Sequence, residues 1–201
     1  PAERDVTVLF SDIRGYTTLS EGLRPRILVE QVLNRYFTAM TEVLYHYDGT
    51  IDKFLGDGII GLFGVPIARP GDISRALQAA VDMQRAFAEL QEGWRRDLGM
   101  EIGMGIGISY GRAVVGNIGS VQRLDYTVIG DVVNTANRLN GMAQAGQIIV
   151  SHLAVEALPA GEAVPGQLRE IGRVSLKGKQ EPHLVYELDY SDHAALIANH
   201  A

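Results

Sequence analysis

The chain has 201 residues, 46% of them hydrophobic and 21% charged, with a net charge of −6. That length and balance suit one globular domain with a sizeable core, and the acidic sign argues against a nucleic-acid or anionic-membrane surface. There is no cysteine, which excludes disulfides, thiol nucleophiles and zinc–thiolate sites and fits a reducing, cytoplasmic compartment. The longest nearly apolar run, residues 58–68, is too short to span a bilayer and contains Pro66. No signal-peptide pattern opens the chain. It begins with Pro1 rather than Met, so we expect a piece of a longer protein, with sensor or regulatory domains and any membrane anchor outside it.

In chain order, Val6 to Phe10 reads as a buried strand and Tyr16 to Arg24 as a polar loop. Pro25 is a good first helical residue. Beyond it, Leu28, Val32, Tyr36, Met40 and Leu44 recur at helical spacing up to the glycine cap signal Asp48-Gly49. Thr50 to Phe54 and Ile59 to Phe63 form two apolar runs around Asp57-Gly58, a hairpin signal. After a loop at residues 64–71, Asp72 is placed to cap a second helix reaching about Trp94.

Glu101 to Tyr110 is predicted as a strand whose Gly103, Gly105 and Gly107 share one face, so a helix or ligand should approach that face closely. Ala113 to Ile118 reads as another strand, and a third helix follows Gly130-Asp131. Ile148 to Val150, Gln167 to Leu176 and His183 to Leu188 read as late strands, and residues 191–201 as a flexible tail after a domain spanning 1–190. The order βαββαβ with further elements behind it predicts an α+β, ferredoxin-like fold: an antiparallel sheet with helices on one face.

Two carboxylates interrupt strand-like runs. Asp12 follows Thr7-Val8-Leu9-Phe10, and Asp57 sits in Lys53-Phe54-Leu55-Gly56-Asp57-Gly58. In the predicted sheet the first strand lies beside the hairpin, so the two could meet and hold a hard cation such as Mg²⁺ through oxygen alone. Asp-Gly is also a common turn dipeptide, so Asp57 by itself carries little. Asn134 and Arg138 are four apart and share a helix face. Arg offers a planar fork for phosphate oxygens, although such a pair taken alone more often belongs to a solvated face. Lys53 stands in an apolar run and Lys177 in a Lys-Gly-Lys loop. Each suits a phosphate or base, and each also suits a solvated surface. A P-loop, a dinucleotide fingerprint and a nucleophile elbow are all missing, and the five histidines show no metal-ligand spacing.

Taken together, residues 9–17 (Leu-Phe-Ser-Asp-Ile-Arg-Gly-Tyr-Thr), 53–58, 130–139 and 176–178 resemble, in order and spacing, the catalytic domain of class III nucleotidyl cyclases, the adenylate and guanylate cyclases. The resemblance covers about Arg4 to Leu188. It implies that Asp12 and Asp57, with the backbone carbonyl of Ile13, bind two divalent cations, Mg²⁺ or Mn²⁺. It implies that Lys53 and Thr127 select the purine, that Asn134 positions the ribose, and that Arg138 stabilises charge on the α-phosphate. Lys177 would contact the terminal phosphates, with Arg123 more loosely placed to help.

The implied reaction is conversion of ATP to 3′,5′-cyclic AMP and pyrophosphate in a homodimer with shared sites. Lys53 matches the ATP-selective members. Thr127 departs from their usual aspartate and resembles the bicarbonate-stimulated subgroup. The alternatives are a guanylate cyclase, a catalytically silent nucleotide-binding regulator and a plain ferredoxin-like interaction domain.

Overall fold

The computed structural model describes residues 1–191. Strand β1 (Ala2–Arg14) leads through α1 (Tyr16–Gly22) into α2 (Pro25–Ile27), a π-helical stretch (Leu28–Leu33) and α3 (Asn34–His46). Strands β2 (Thr50–Leu55) and β3 (Gly58–Phe63) form the expected hairpin, followed by the long helix α4 (Asp72–Leu98) and strand β4 (Gly103–Ser120). Strand β5 (Arg123–Ile129), helix α5 (Asp131–Met142), β6 (Ile148–Ser151), α6 (His152–Glu156), β7 (Gln167–Val174) and β8 (His183–Asp189) complete the chain.

The strands make one sheet in the order β2-β3-β1-β4-β6-β8-β7, with β5 also paired to β4. Its first four members have the ferredoxin-like order. All 13 residues of β1 pair antiparallel with β4, from Ala2 opposite Val115 to Arg14 opposite Gly103. On its other edge, residues Thr7 to Ser11 of β1 pair with β3. Among the described residues the β4–β6 pairing alone is parallel.

Alternation along β1 explains the two-sided core. Leu9 and Ile13 join α3 and α4 in the larger core with Tyr36, Met40, Leu77, Met83 and Trp94. Val6, Val8 and Phe10 point the other way, to Val128, Val132 and Ala136. The two core helices therefore share one face, and α5 covers the opposite face.

The glycine series reads as expected. A Cβ at Gly107 would overlap the backbone of Ala136 and Asn140 on α5, one at Gly105 would strike the Arg14 guanidinium, and one at Gly103 would strike Ala145. Gly107 lets α5 seat directly on the sheet, and Gly105 leaves room for the Arg14 side chain.

Several local expectations are corrected. Residues 16–22 are helical rather than loop, because Leu19 is buried and tertiary contact stabilises a short turn that propensity alone would not. The two strands expected at 101–110 and 113–118 are one, since β1 pairs with them without interruption. Strand β5 lacks the apolar alternation that would flag it. Five of its seven residues are exposed, Thr127 and Val128 alone being buried.

Helix α4 begins after a left-handed Gly71, with Asp72 inside its first turn, and continues past Trp94 to a left-handed Gly99. The strand expected to reach Leu176 stops at Val174. The expected tail falls mostly on residues 192–201, outside those described. Among the described residues no helix is long and apolar enough to cross a membrane.

The seating of α5 is testable. Gly107→Ala should destabilise the domain by about 1–3 kcal/mol through overpacking. Gly141→Ala, on α5 with no atom near the added methyl, should instead stabilise it by about 0.5–1 kcal/mol. Urea unfolding of the two variants checks both signs.

Candidate active site

The sheet brings Asp12 and Asp57 together. Asp57 occupies the β2–β3 turn, and its Oδ2 accepts a hydrogen bond from the Ile13 N–H at 3.0 Å. Asp12 lies one residue earlier on β1, where Arg14 donates to its Oδ1. Burial and the neighbouring Asp12 charge both push the Asp57 carboxyl above its usual range. Beneath the pair, the buried phenol of Tyr36 is 3.0 Å from Ser11 Oγ, and burial pushes its pKa up.

Among the described residues, Asp12 Oδ2 and Asp57 Oδ1 accept no hydrogen bond from another residue. Two partly buried carboxylates, Asp57 with its proton affinity raised by burial and by Asp12, offer oxygen donors only and fit a hard divalent cation. No cluster of three or more His, Cys, Asp or Glu suited to a metal occurs among the described residues, so a cation here relies on these two carboxylates, backbone and substrate oxygens.

A second group forms where β2 meets β5. Lys53 Nζ donates to Thr127 Oγ1 at 3.1 Å, joining residues 74 positions apart. Helix α5 follows β5 directly and carries Asn134, exposed, and Arg138, half-buried. Arg138 Nη1 is buried without a hydrogen-bond partner. Its other terminal nitrogen lies close to Gly178, whose left-handed turn (φ 80°) shapes the loop bearing the exposed Lys177. Lys179, two residues on, pairs with Asp131 and holds that carboxyl below its usual range. Arg123, at the start of β5, is exposed and contacts Asp125 at 3.6 Å, apart from the other site residues.

No hydrogen bond or ion pair among the described residues joins Asp12 or Asp57 to Lys53, Thr127, Asn134 or Arg138. The structured link is indirect. Arg14 reaches from Asp12 to the carbonyls at the C-terminal end of α5, donating to Asn140 O and, at 2.8 Å, to Ala143 O. A cation suits that end of a helix dipole. A cavity of about 420 Å³ between α5 and strands β6 and β8 is lined by Asp131, Thr135, His152 and His183, and by none of the expected site residues.

Sequence reasoning gave no part in the site to Arg14, Asp52 or Tyr36, the last read only as a core position of the first long helix. For Arg14 a signal was present: it is two residues from Asp12 and so on the same strand face.

The α+β fold is that of a nucleotidyl cyclase catalytic domain. The family model described as the adenylate and guanylate cyclase catalytic domain matches residues 1–189, and the chain belongs to that family. It is 38% identical over 192 residues to an adenylate cyclase of Anabaena cylindrica, a match covering 92% of this chain and 37% of that protein. The chain thus spans little more than a third of that relative's length.

Among solved structures, the adenylyl cyclase CyaB from P. aeruginosa superposes with a TM-score of 0.86 at 34% identity, covering 94% of this chain and 95% of that one. The guanylyl cyclase Cya2 superposes at 0.82 with 41% identity, covering 93% and 92%.

The raised Asp57 proton affinity gives a signed expectation. A carboxyl whose folded pKa is raised favours the folded state when protonated, and that contribution is lost as pH rises through the folded value. Asp57→Asn should therefore unfold at a temperature no lower than the parent at pH 7.5 without divalent ions. The gap should close as pH falls into the carboxylate range. Mn²⁺ should raise the parent's melting temperature and leave the variant's nearly unchanged. Differential scanning calorimetry across pH and Mn²⁺ checks both.

Proposed function

We propose that this chain is the catalytic part of an adenylate cyclase, converting ATP to 3′,5′-cyclic AMP and pyrophosphate in a homodimer with two shared sites. The observation that carries this reading is the Lys53–Thr127 contact, formed within one chain beside α5 yet unconnected to the Asp12–Asp57 pair. Each chain then offers two half-sites, and a self-complementary dimer would complete both. Exposed apolar residues flank the half-sites: Phe54 and Leu55 on β2, Leu124 and Tyr126 on β5. Such surface favours cover by a partner.

In this reading Asp12 and Asp57, with the Ile13 carbonyl, hold two divalent cations, Mg²⁺ or Mn²⁺. Bound there, the cations supply charge neutralisation of the triphosphate and a lowered pKa for the ribose 3′-hydroxyl. Asn134 of the partner copy orients the ribose. Arg138, its guanidinium short of one partner, takes charge developing on the α-phosphoryl oxygens, where a preorganised donor is most effective. Lys177 draws the β- and γ-phosphates. The 3′-oxygen forms its bond to the α-phosphorus as the bond to the pyrophosphate oxygen breaks, and the hydroxyl proton passes to solvent. No protein nucleophile is required.

Lys53 donates toward adenine N1, which accepts, and Thr127 accepts from the 6-amino group. The guanylyl cyclase at 41% identity supports a second reading, in which GTP is the substrate. The threonine extends the proposal to stimulation by bicarbonate: at fixed pH and metal the initial rate should rise on its addition, and an unchanged rate overturns that part. Regulatory domains outside this chain are in keeping with the 37% of the Anabaena relative that it spans.

Incubation with ATP or GTP and Mn²⁺ should yield cyclic AMP in preference to cyclic GMP; no product from either overturns the enzyme reading. Asp57→Ala and Asn134→Ala should each lower kcat by about two orders of magnitude or more. Mixed one to one, they should recover about a quarter of parental activity, the share expected from random pairing with one intact site per mixed dimer. A mixture as inactive as its components would sink the shared site.

A further inference from the structure

The Lys53–Thr127 contact has a third member to which neither the sequence nor the family resemblance gives a role. Asp52 precedes Lys53 on β2, where the β2–β3 register slips between Ile51 and Lys53. In a regular strand neighbours face opposite sides of the sheet; a bulge breaks that alternation. Here Asp52 Oδ2 comes within 3.2 Å of Lys53 Nζ. The Asp52 side chain is 1% exposed, against 43% for Lys53. Neither Asp52 oxygen has a hydrogen-bond donor, and Lys53 is the one cation within ion-pair distance of it among the described residues. A carboxylate buried with so little compensation costs stability that an apolar residue would not. Its return is local, on the ammonium beside it.

We propose that Asp52 is a positioning residue for nucleotide selection, holding Lys53 Nζ in place and supplying the negative charge that Thr127 lacks. This rests on the reading of Lys53 and Thr127 as the purine-selecting pair. An ammonium has three donors. Thr127 Oγ1 takes one of them at 3.1 Å, and the Asp52 charge 3.2 Å away fixes where the ammonium sits, with donors left for the base. Adenine N1 accepts from a donor fixed there, whereas guanine N1 carries a hydrogen and opposes it. Guanine O6 accepts too, and a lysine freed from Asp52 can swing to reach it. Anchoring the ammonium therefore favours ATP over GTP without Asp52 touching either.

The test is the ratio of kcat/KM for ATP to that for GTP, measured on the same preparation so that the folded fraction cancels. Asp52→Asn should lower the ratio roughly tenfold, the worth of one charge-assisted contact, mainly by raising KM for ATP while kcat holds. Adding Thr127→Asp to Asp52→Asn should restore it. In the otherwise unchanged chain, Thr127→Asp should move the ratio by less than about twofold, since the charge is already present; a tenfold gain in ATP preference there would overturn the proposal even if Asp52 variants fail to fold.

Lys53→Gln separates the two layers. If it leaves the ratio unchanged, the purine-selecting pair is misread and the proposal falls with it. If it shifts the ratio while Asp52→Asn and Asp52→Ser do not, the pair stands and Asp52 has no part in selection.

Discussion

The uninterrupted pairing of β1 with β4 is the constraint on which both halves of the site depend. Because β1 is bonded along both edges, its end is fixed, and the carboxylate of Asp12 emerges at a defined place. The β3 edge brings the Asp57 turn to it. The β4 edge extends far enough beyond β1's N-terminal end to fold back as β5, and β5 delivers Thr127 to Lys53. A one-residue slip in that register would turn Asp12 into the core and an apolar neighbour out.

Charge is handled differently in the two half-sites. At the first, burial and the Asp12 charge raise the cost of ionising Asp57, and the main-chain N–H of Ile13 and the Arg14 guanidinium offset part of it. In the proposed reading that imbalance favours a multivalent cation. At the second, a lysine ammonium is held between a buried carboxylate and a threonine hydroxyl, and an arginine on the neighbouring helix keeps a donor free. In the proposed reading these groups meet an anion and a neutral base. A nucleoside triphosphate with its cations would need both, and among the described residues no hydrogen bond or ion pair joins them. Arg14 ties the carboxylate end to the C-terminus of α5, so the two half-sites of a chain share one rigid frame.

Much of this was legible in the residues. The helical repeat from Leu28 to Leu44 and the Asp-Gly hairpin declared the core elements, and the glycine alternation at 103, 105 and 107 declared a close approach that α5 makes. The meeting of Asp12 with Asp57 followed from strand order. What escaped was structure stabilised by remote contacts. Helix α1 holds through buried Leu19, and β5 is a largely exposed strand recognisable only by its partner. Asp52 carries no sequence signal of its own, since the register shift that sets it beside Lys53 has no local signature.

By itself, the sequence determined the α+β class, the order of the core elements and the residue types available for chemistry. Periodicity and turn propensity act over a few residues, and each stretch carries its own signal. The tertiary structure alone decided which of those residues meet. Lys53 and Thr127 are 74 positions apart, and Arg14 and Ala143 are 129 apart. Such contacts are fixed by sheet register and by helix seating on a glycine face, which are properties of the whole packed chain rather than of any segment of it.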